Sequence, residues 1–382
     1  MEGLRESLGH LLRKVRSERN LTILELDEVT AAHGHRVPRS RLSLLERGEA
    51  PIRIDDLLAL SRAYGFPMLD LCAEAVAMRS PEVFPGEWEA GQFFEEGKRL
   101  FDVGKLQIAG WAFDAAAEKA GSYDREFAGL ARTSACHCYD RMGAKRLAMR
   151  RNEQALDILD GGCDAFKRAI GKRAVLLADF RAFGRARVYL DASLAALDGG
   201  VSPDLKAYLL DSSASTFHLL GELTSATEHS LRAARLYRRL GDYDWTALKL
   251  AAAATYLAEQ GKVRQAQRHA HDAEGLLEEV TRVDTRVFVL TALGTVFVAD
   301  GEPESARGHL EAAYRVAKKH DLTARAREAG EVLERLAEER GDGAERRRWK
   351  TRLARLSRAN LEWSLLEPTC GKGRISDSGR MP

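Results

Sequence analysis

Long apolar runs are missing from this chain. No stretch of about 18 consecutive apolar residues occurs, so no membrane-spanning helix is expected. Proline is scarce, nine in 382 residues, and alternating β-branched runs do not occur. Both absences argue against strands and leave helices free to run uninterrupted. Net charge is nearly absent too: 59 lysines and arginines against 57 acids give +2, so any attraction to nucleic acid must be local. The five cysteines, Cys72, Cys136, Cys138, Cys163 and Cys370, form no disulfide framework, and their odd number fits a reducing interior. The first twenty residues carry charges throughout and lack the apolar core of a secretory leader, so cytoplasmic residence is the default expectation.

Motifs of catalysis are missing as well. There is no P-loop, no dinucleotide-binding glycine pattern, no G-x-S-x-G and no H-E-x-x-H. No enzyme, cofactor or metal is therefore expected. Cys136-His137-Cys138 has a single residue between its cysteines, where zinc pairs have two or more, and on a helix the two thiols diverge. His269 and His271 fail by the same geometry. His33-Gly34-His35 lies in a turn with no further ligand nearby in sequence.

What is present is alanine, leucine, arginine and glutamate in quantity, the composition of an all-α protein. Leu4, Leu8, Leu11, Leu12 and Val15 recur at three- and four-residue steps and predict a helix over about 3–19. Thr22 followed by Glu25 reads as a capping box opening a second helix. Ala31 to Arg36 reads as a turn. A third, short helix follows over Val37 to Arg47, with Pro38 at its first position and Gly48 ending it. Leu42 and Leu45 share its buried face, so Arg39, Ser40, Arg41 and Ser43 point away. Arginine can bond O6 and N7 of guanine through two donors, and serine can bond a base edge or a phosphate. A solvated helix face is the plainer alternative, and Arg47 is expected to pair with a nearby acid. Asp55 and Asp56 open a fourth helix with Leu57, Leu58, Leu60 and Ala63 inward, and Pro67 to Met78 reads as a fifth.

Residues 4–72 resemble the Cro/C1-type (XRE-like) helix-turn-helix domain. The matching residues are Leu21-Thr22, Leu26, Val37, Leu42-Ser43, Leu45-Glu46-Arg47-Gly48, Asp56 to Leu60, and Tyr64-Gly65. Ile23 stands where the family often has a phosphate-touching glutamine, and the turn at His33 to Arg36 is longer. The resemblance implies double-stranded operator DNA as partner, with Thr22, Arg36, Arg39, Ser40, Arg41 and Ser43 as the contact set.

Ser80 to Gly86, with two prolines, reads as a linker between a domain of residues 1–79 and a repeat region of 87–360. There, turn glycines fall at 104, 143, 184, 221, 261, 301 and 341, in steps of 37 to 41. A second turn series runs through Gly121, Gly161, Gly199, Gly241, Thr281 and Asp321, so each period holds two helices. Alanine recurs five residues after the first turn (109, 148, 226, 266, 306) and twelve after it (116, 155, 196, 233, 273, 313), although Tyr189 stands where Gly184 calls for alanine. Leu290-x-x-Leu293-Gly294-x-x-Phe297, continuing to Ala306, Leu310 and Ala313, resembles a tetratricopeptide (TPR) repeat with a longer period. It implies a right-handed TPR-like α-solenoid of about seven helix pairs, its concave surface lined by the first helix of each pair.

Carrying the offsets across assigns His137, Asp140, Arg181, Tyr208, Asp211, Ser215, His218, Thr255, Thr291 and Thr295 to the groove, a polar lining suited to a peptide or protein segment. The basic last helix, Arg346 to Arg358, reads as the polar outer face of a capping helix, and residues 361–382 as a disordered tail. The domain order resembles regulators of the RRNPP class, which respond to secreted signalling peptides. It implies a DNA-binding transcription regulator, homodimeric, whose repeat domain senses a peptide or protein. The alternative is a TPR scaffold whose helix-turn-helix docks protein.

Overall fold

The computed structural model describes residues 2–65, 75, 84–320 and 322–363. Among these, eighteen helices and no strand occur, as expected of an all-α chain. None of the described helices is long and apolar enough to cross a membrane. The expected fifth helix apart from Ala75, the linker before Phe84 and the tail from 364 lie outside the described residues. The chain divides into two compact units, one of residues 1–76 with 354–382 and one of residues 77–353.

The first unit holds α1 (Glu2–Glu18), α2 (Ile23–Ala32), α3 (Arg39–Glu46) and α4 (Ile54–Ala63). Leu8, Leu11, Leu12 and Val15 of α1 are buried, as are Leu26 of α2, Leu42 and Leu45 of α3 and Leu60 of α4. The predicted capping box opens α2: Thr22 Oγ1 accepts from Glu25 N, and the Glu25 carboxylate accepts from Thr22 N. Pro38 is the N-cap of α3 and not its first helical residue, and Gly48 closes α3 at φ +72°. On α4, Ala59 takes the inward position expected of Leu58, which is exposed. Gly9 is where α1 meets the end of α3: a methyl there would lie 2.5 Å from the Leu45 carbonyl and 2.8 Å from Gly48 N.

The second unit is a stack of seven helix pairs, of whose last helix it holds the part up to Leu353. They are α5 (Ala90–Asp102) with α6 (Leu106–Ala120), α7 (Arg125–Arg141) with α8 (Lys145–Ile158), α9 (Asp164–Asp179) with α10 (Phe183–Ala196), α11 (Pro203–Leu219) with α12 (Leu223–Arg239), α13 (Tyr243–Glu259) with α14 (Val263–Glu274), α15 (Val283–Ala299) with α16 (Pro303–Lys319), and α17 (Thr323–Glu339) with α18 (Gly343–Trp363). One backbone pattern closes the turn inside every pair. A left-handed residue donates to the carbonyl three back, and its successor to the carbonyl five back, as in Gly221 N to His218 O and Glu222 N to Phe217 O.

In the third pair the left-handed residue is Arg181, φ +57°, and Gly184 sits inside α10. This corrects the register read from glycine alone. Counted from Arg181, the five-residue offset is Ala186 and the twelve-residue offset is Ser193, both buried like Ala109, Ala148, Ala226, Ala266 and Ala306. Tyr189 never occupied the small-residue position.

These small residues let neighbouring helices approach closely. At Gly294 a methyl would collide with the Leu310 side chain and lie 3.2 Å from the Ala306 carbonyl, whereas at Gly308 it would meet nothing. Gly294→Ala is therefore expected to cost about 1–3 kcal/mol by overpacking, and Gly308→Ala to add about 0.5–1 kcal/mol through helix propensity. Arg181→Gly is expected to add roughly 1 kcal/mol by relieving the left-handed backbone. Urea unfolding midpoints of the three variants decide; a neutral Gly294→Ala contradicts the close approach.

Candidate functional site

Two surfaces come forward, one in each unit. The first is α3. It is held from three sides. Leu42 and Leu45 anchor it in the core. At its end, Arg16 of α1 donates to both Glu46 oxygens, at 2.6 and 2.9 Å. Near its start, Arg41 donates through Nε to Asp56 Oδ2 of α4 at 2.8 Å and through a terminal nitrogen to the Pro51 carbonyl. His35 Nε2 lies 3.2 Å from the other Asp56 oxygen. Burial resists ionisation of Asp56, yet Arg41 and His35 hold its carboxyl below the usual range. The entry to α3 is fixed by Arg36, which donates to both Asp27 oxygens, and by Val37 N, which donates to Thr30 Oγ1.

The expected DNA-contact set is thus sorted. Thr22 caps α2. Arg36 and Arg41 are engaged within the unit. Ser43 Oγ accepts from Arg47, which also pairs with Glu49 at 2.8 Å. Arg39 and Ser40, at the N-terminal end of α3, are exposed.

The second surface is the inner face of the solenoid. Contacts between pairs that are not neighbours identify it, because only a concave side brings such pairs together. His137 Nε2 on α7 lies 2.9 Å from the Tyr208 hydroxyl on α11, two pairs on. Arg141 of α7 donates to Asp284 of α15, and Arg282, the N-cap of α15, donates to Asp102 of α5 at 2.8 Å. The Arg141 guanidinium lies 4.9 Å from the Phe101 ring and 5.1 Å from the Trp245 ring, and Arg282 lies 5.6 and 5.5 Å from the same two rings. These are cation–π distances.

Each buried acid of this face has its cation. Asp140 accepts from Lys172 and from Lys145, which also reaches Asp179 at 2.6 Å. Asp211 accepts from Lys249. Against the cost of burial, Lys172 and Lys145 hold the Asp140 carboxyl far below its ordinary range. The cations are less well provided for. Burial first, then Arg325 and Arg282, push Arg141 down to about 9. Burial lowers Lys249 too, and Arg141 and Arg325 push it the same way.

Of the residues assigned to the groove by sequence, His137, Asp140, Tyr208 and Asp211 are brought together on this face. His218 is stacked on Tyr256 and 3.1 Å from Glu259. Arg181 is corrected: it stands exposed in the turn between α9 and α10, because the left-handed position there falls on it. Thr255, Thr291 and Thr295 give their hydroxyl hydrogens to carbonyls of their own helices. Cys136 and Cys138 are wholly buried, and burial pushes the Cys136 thiol up to about 12. The sequence reading missed Lys172, Lys249, Arg282, Arg325 and Trp245. A usable signal existed in the lone Lys249 of the apolar run Leu248 to Ala254.

No protein-family model and no curated protein matches the sequence. Solved structures match in fold. A Rap protein complexed with competence and sporulation factor aligns over 92% of this chain and 99% of its own, with TM-score 0.59 and 13% identity. The apo form of RapI aligns over 72% and 99%, with TM-score 0.53 and 16% identity. Aspartyl phosphate phosphatase F from Bacillus subtilis aligns over 93% of both chains, with TM-score 0.52 and 12% identity. At these identities the likeness establishes the fold and nothing further.

The inner face carries a pH signature. Burial, then Lys172, with Arg141 and Arg168 in the same sense and Asp140 opposing, drives His137 well below its ordinary value. Below about pH 6.5 the unfolded chain therefore takes up a proton that the folded chain refuses, and stability falls as pH drops. His137→Gln is expected to remove a slope of up to about 1.4 kcal/mol per pH unit between about pH 6.5 and 5. His269, also lowered, leaves a residual slope in both proteins. Unfolding midpoints across this range check it; equal slopes exclude a neutral His137 in the folded chain.

Proposed function

We propose that this chain is a sequence-specific DNA-binding regulator of transcription whose solenoid senses a peptide or protein segment and pairs two copies. One observation carries the DNA part. α3 is braced by α1 and α4 while its N-terminal Arg39 and Ser40 stay exposed. Recognition helices of this motif read base edges with their N-terminal residues. The bracing matters because a contact residue on a rigid element loses less freedom on binding. Arg36 and Arg41 would then contribute mainly by fixing the helix, with whatever donors they retain available to phosphate.

The sensing part is supported by the inner face, where polar and charged side chains from successive helices line one surface, an arrangement suited to an extended segment. In a two-fold dimer, two copies of α3 would meet half-sites one turn apart, about 34 Å. The reading places the protein in the cytoplasm and assigns it no catalysis and no cofactor. The scaffold alternative draws on Leu44, Leu58 and Ile54, the last 76% exposed, which could dock a protein.

Sequencing the DNA fragments that the purified full chain retains, at stated near-physiological salt, identifies the site. Arg39→Ala with Ser40→Ala is expected to weaken binding to it by about 10- to 100-fold, equivalent to about 1–3 kcal/mol, with the unfolding midpoint unchanged. Undiminished binding by the double variant, or failure to retain any fragment class, leaves the docking reading in place.

A further inference from the structure

We propose that the centre of the solenoid's inner face recognises a carboxylate on a peptide ligand, through the cation cluster of Arg141, Lys249, Arg282 and Arg325. The inference rests on the peptide-sensing reading above and specifies the chemistry of what is sensed.

Three observations carry it. The first is the pairing. The carboxylates of the face, the partly buried Asp140 and the buried Asp211 and Asp284, are already matched to Lys172, Lys249 and Arg141. Among the described residues, Arg282 and Arg325 form ion pairs with the half-exposed Asp102 and Glu328, and Asp242 also lies in the field of Arg282. The second is the field. Three groups on two helices, His137 and Arg141 on α7 and Lys249 on α13, are each pushed toward neutrality by burial first and by neighbouring cations in addition. An anion seated among them would relieve that repulsion. The third is geometry. Arg141 and Arg282 rest against the Phe101 and Trp245 rings, and Arg325 lies 4.8 Å from Phe288. A ring contact of this kind uses no N–H hydrogen bond, and the N–H groups of a guanidinium are what binds a carboxylate.

These side chains retain exposure, 12% for Arg141, 18% for Arg282 and 23% for Arg325. Beside them the buried Oδ1 of Asp284 has no donor among the described residues. A peptide supplies both missing partners, a carboxylate for the cations and a backbone N–H for Asp284. A simple inorganic anion supplies only the first.

The test offers the immobilised full chain two pools of random heptapeptides, one with Asp and Glu as its only charged residues and one with Lys and Arg. Each is made with a free C-terminus and as the amide, and retained peptides are sequenced by mass spectrometry. The acidic pool is expected to be retained at least about tenfold better than the basic pool, a difference of about 1.4 kcal/mol. Arg282→Gln with Arg325→Gln should bring the two pools to parity, with circular dichroism reporting its folding; the wild-type comparison stands without it. Preference for the free acid over the amide assigns the terminal carboxylate, and equal retention of both forms assigns Asp or Glu side chains; either supports the proposal. Equal or better retention of the basic pool, with no preference for the free acid over the amide in either pool, overturns the carboxylate inference and leaves peptide sensing standing. No retention from any pool overturns both.

Discussion

A single helix pair cannot cover its own apolar face, and the second unit is organised by that fact. Each pair must present the same face to the next at the same distance, which fixes what may stand at the contact. Ala226 and Ala233, Ala266 and Ala273, Ala306 and Ala313 are buried at equal offsets from their turns. They are small because backbones approach there, and their spacing follows from the helix. The left-handed turn residue sets the phase. Where arginine takes that role, at 181, the hydrogen-bond pattern is unaltered, so the repeat geometry prevails over the local preference of the side chain.

That constraint explains what could be read in the sequence. The period, the number of pairs and the all-helical fold were legible, because left-handed turns and buried small residues leave marks at fixed intervals. The third pair was misphased because glycine is an imperfect proxy for a left-handed backbone. The capping box at Thr22 and the left-handed Gly48 were legible because they are local. Legibility ended with pairings. Arg41 could be placed on α3, but nothing in the third helix announces that Asp56 holds it. Arg141 and Asp284 are 143 residues apart, and the offset that finds positions on the inner face says nothing about which of them meet. Lys249 is a lone charge in an apolar run and Asp211 stands between Leu210 and Ser212, and their partnership appears only once α11 and α13 lie side by side.

Buried charge is an expensive way to join helices. Desolvation offsets much of the attraction, so such pairs stabilise little, whereas removal of one member strands the other. Their consequence here is register. Asp140 to Lys172 and Asp211 to Lys249 each tie an inner helix to that of the next pair, and a slip of one turn along either interface would leave two charges unmatched. Arg141 to Asp284 and Arg282 to Asp102 go further, joining helices four and five pairs apart. A solenoid with contacts only between neighbours behaves as a one-dimensional array. This one has inner-face bonds that close only at one curvature, and its early and late pairs are thereby coupled.

The coupling bears on how a ligand could act at a distance. A ligand shifts a conformational equilibrium only by the difference in its affinity for the two arrangements. Contacts confined to one pair would leave that difference small. Arg141 and Arg282 belong at once to the cation cluster and to the bonds that fix curvature. A carboxylate drawing on their guanidinium groups competes with Asp284 and Asp102 for the same donors. Binding and curvature then cannot be independent. By reciprocity, whatever alters the curvature alters the affinity by the same factor. On that proposal Asp284 and Asp102, which look like plain structural partners, would be the internal competitors of the ligand, and their strength would set how much of its binding energy is available to change shape.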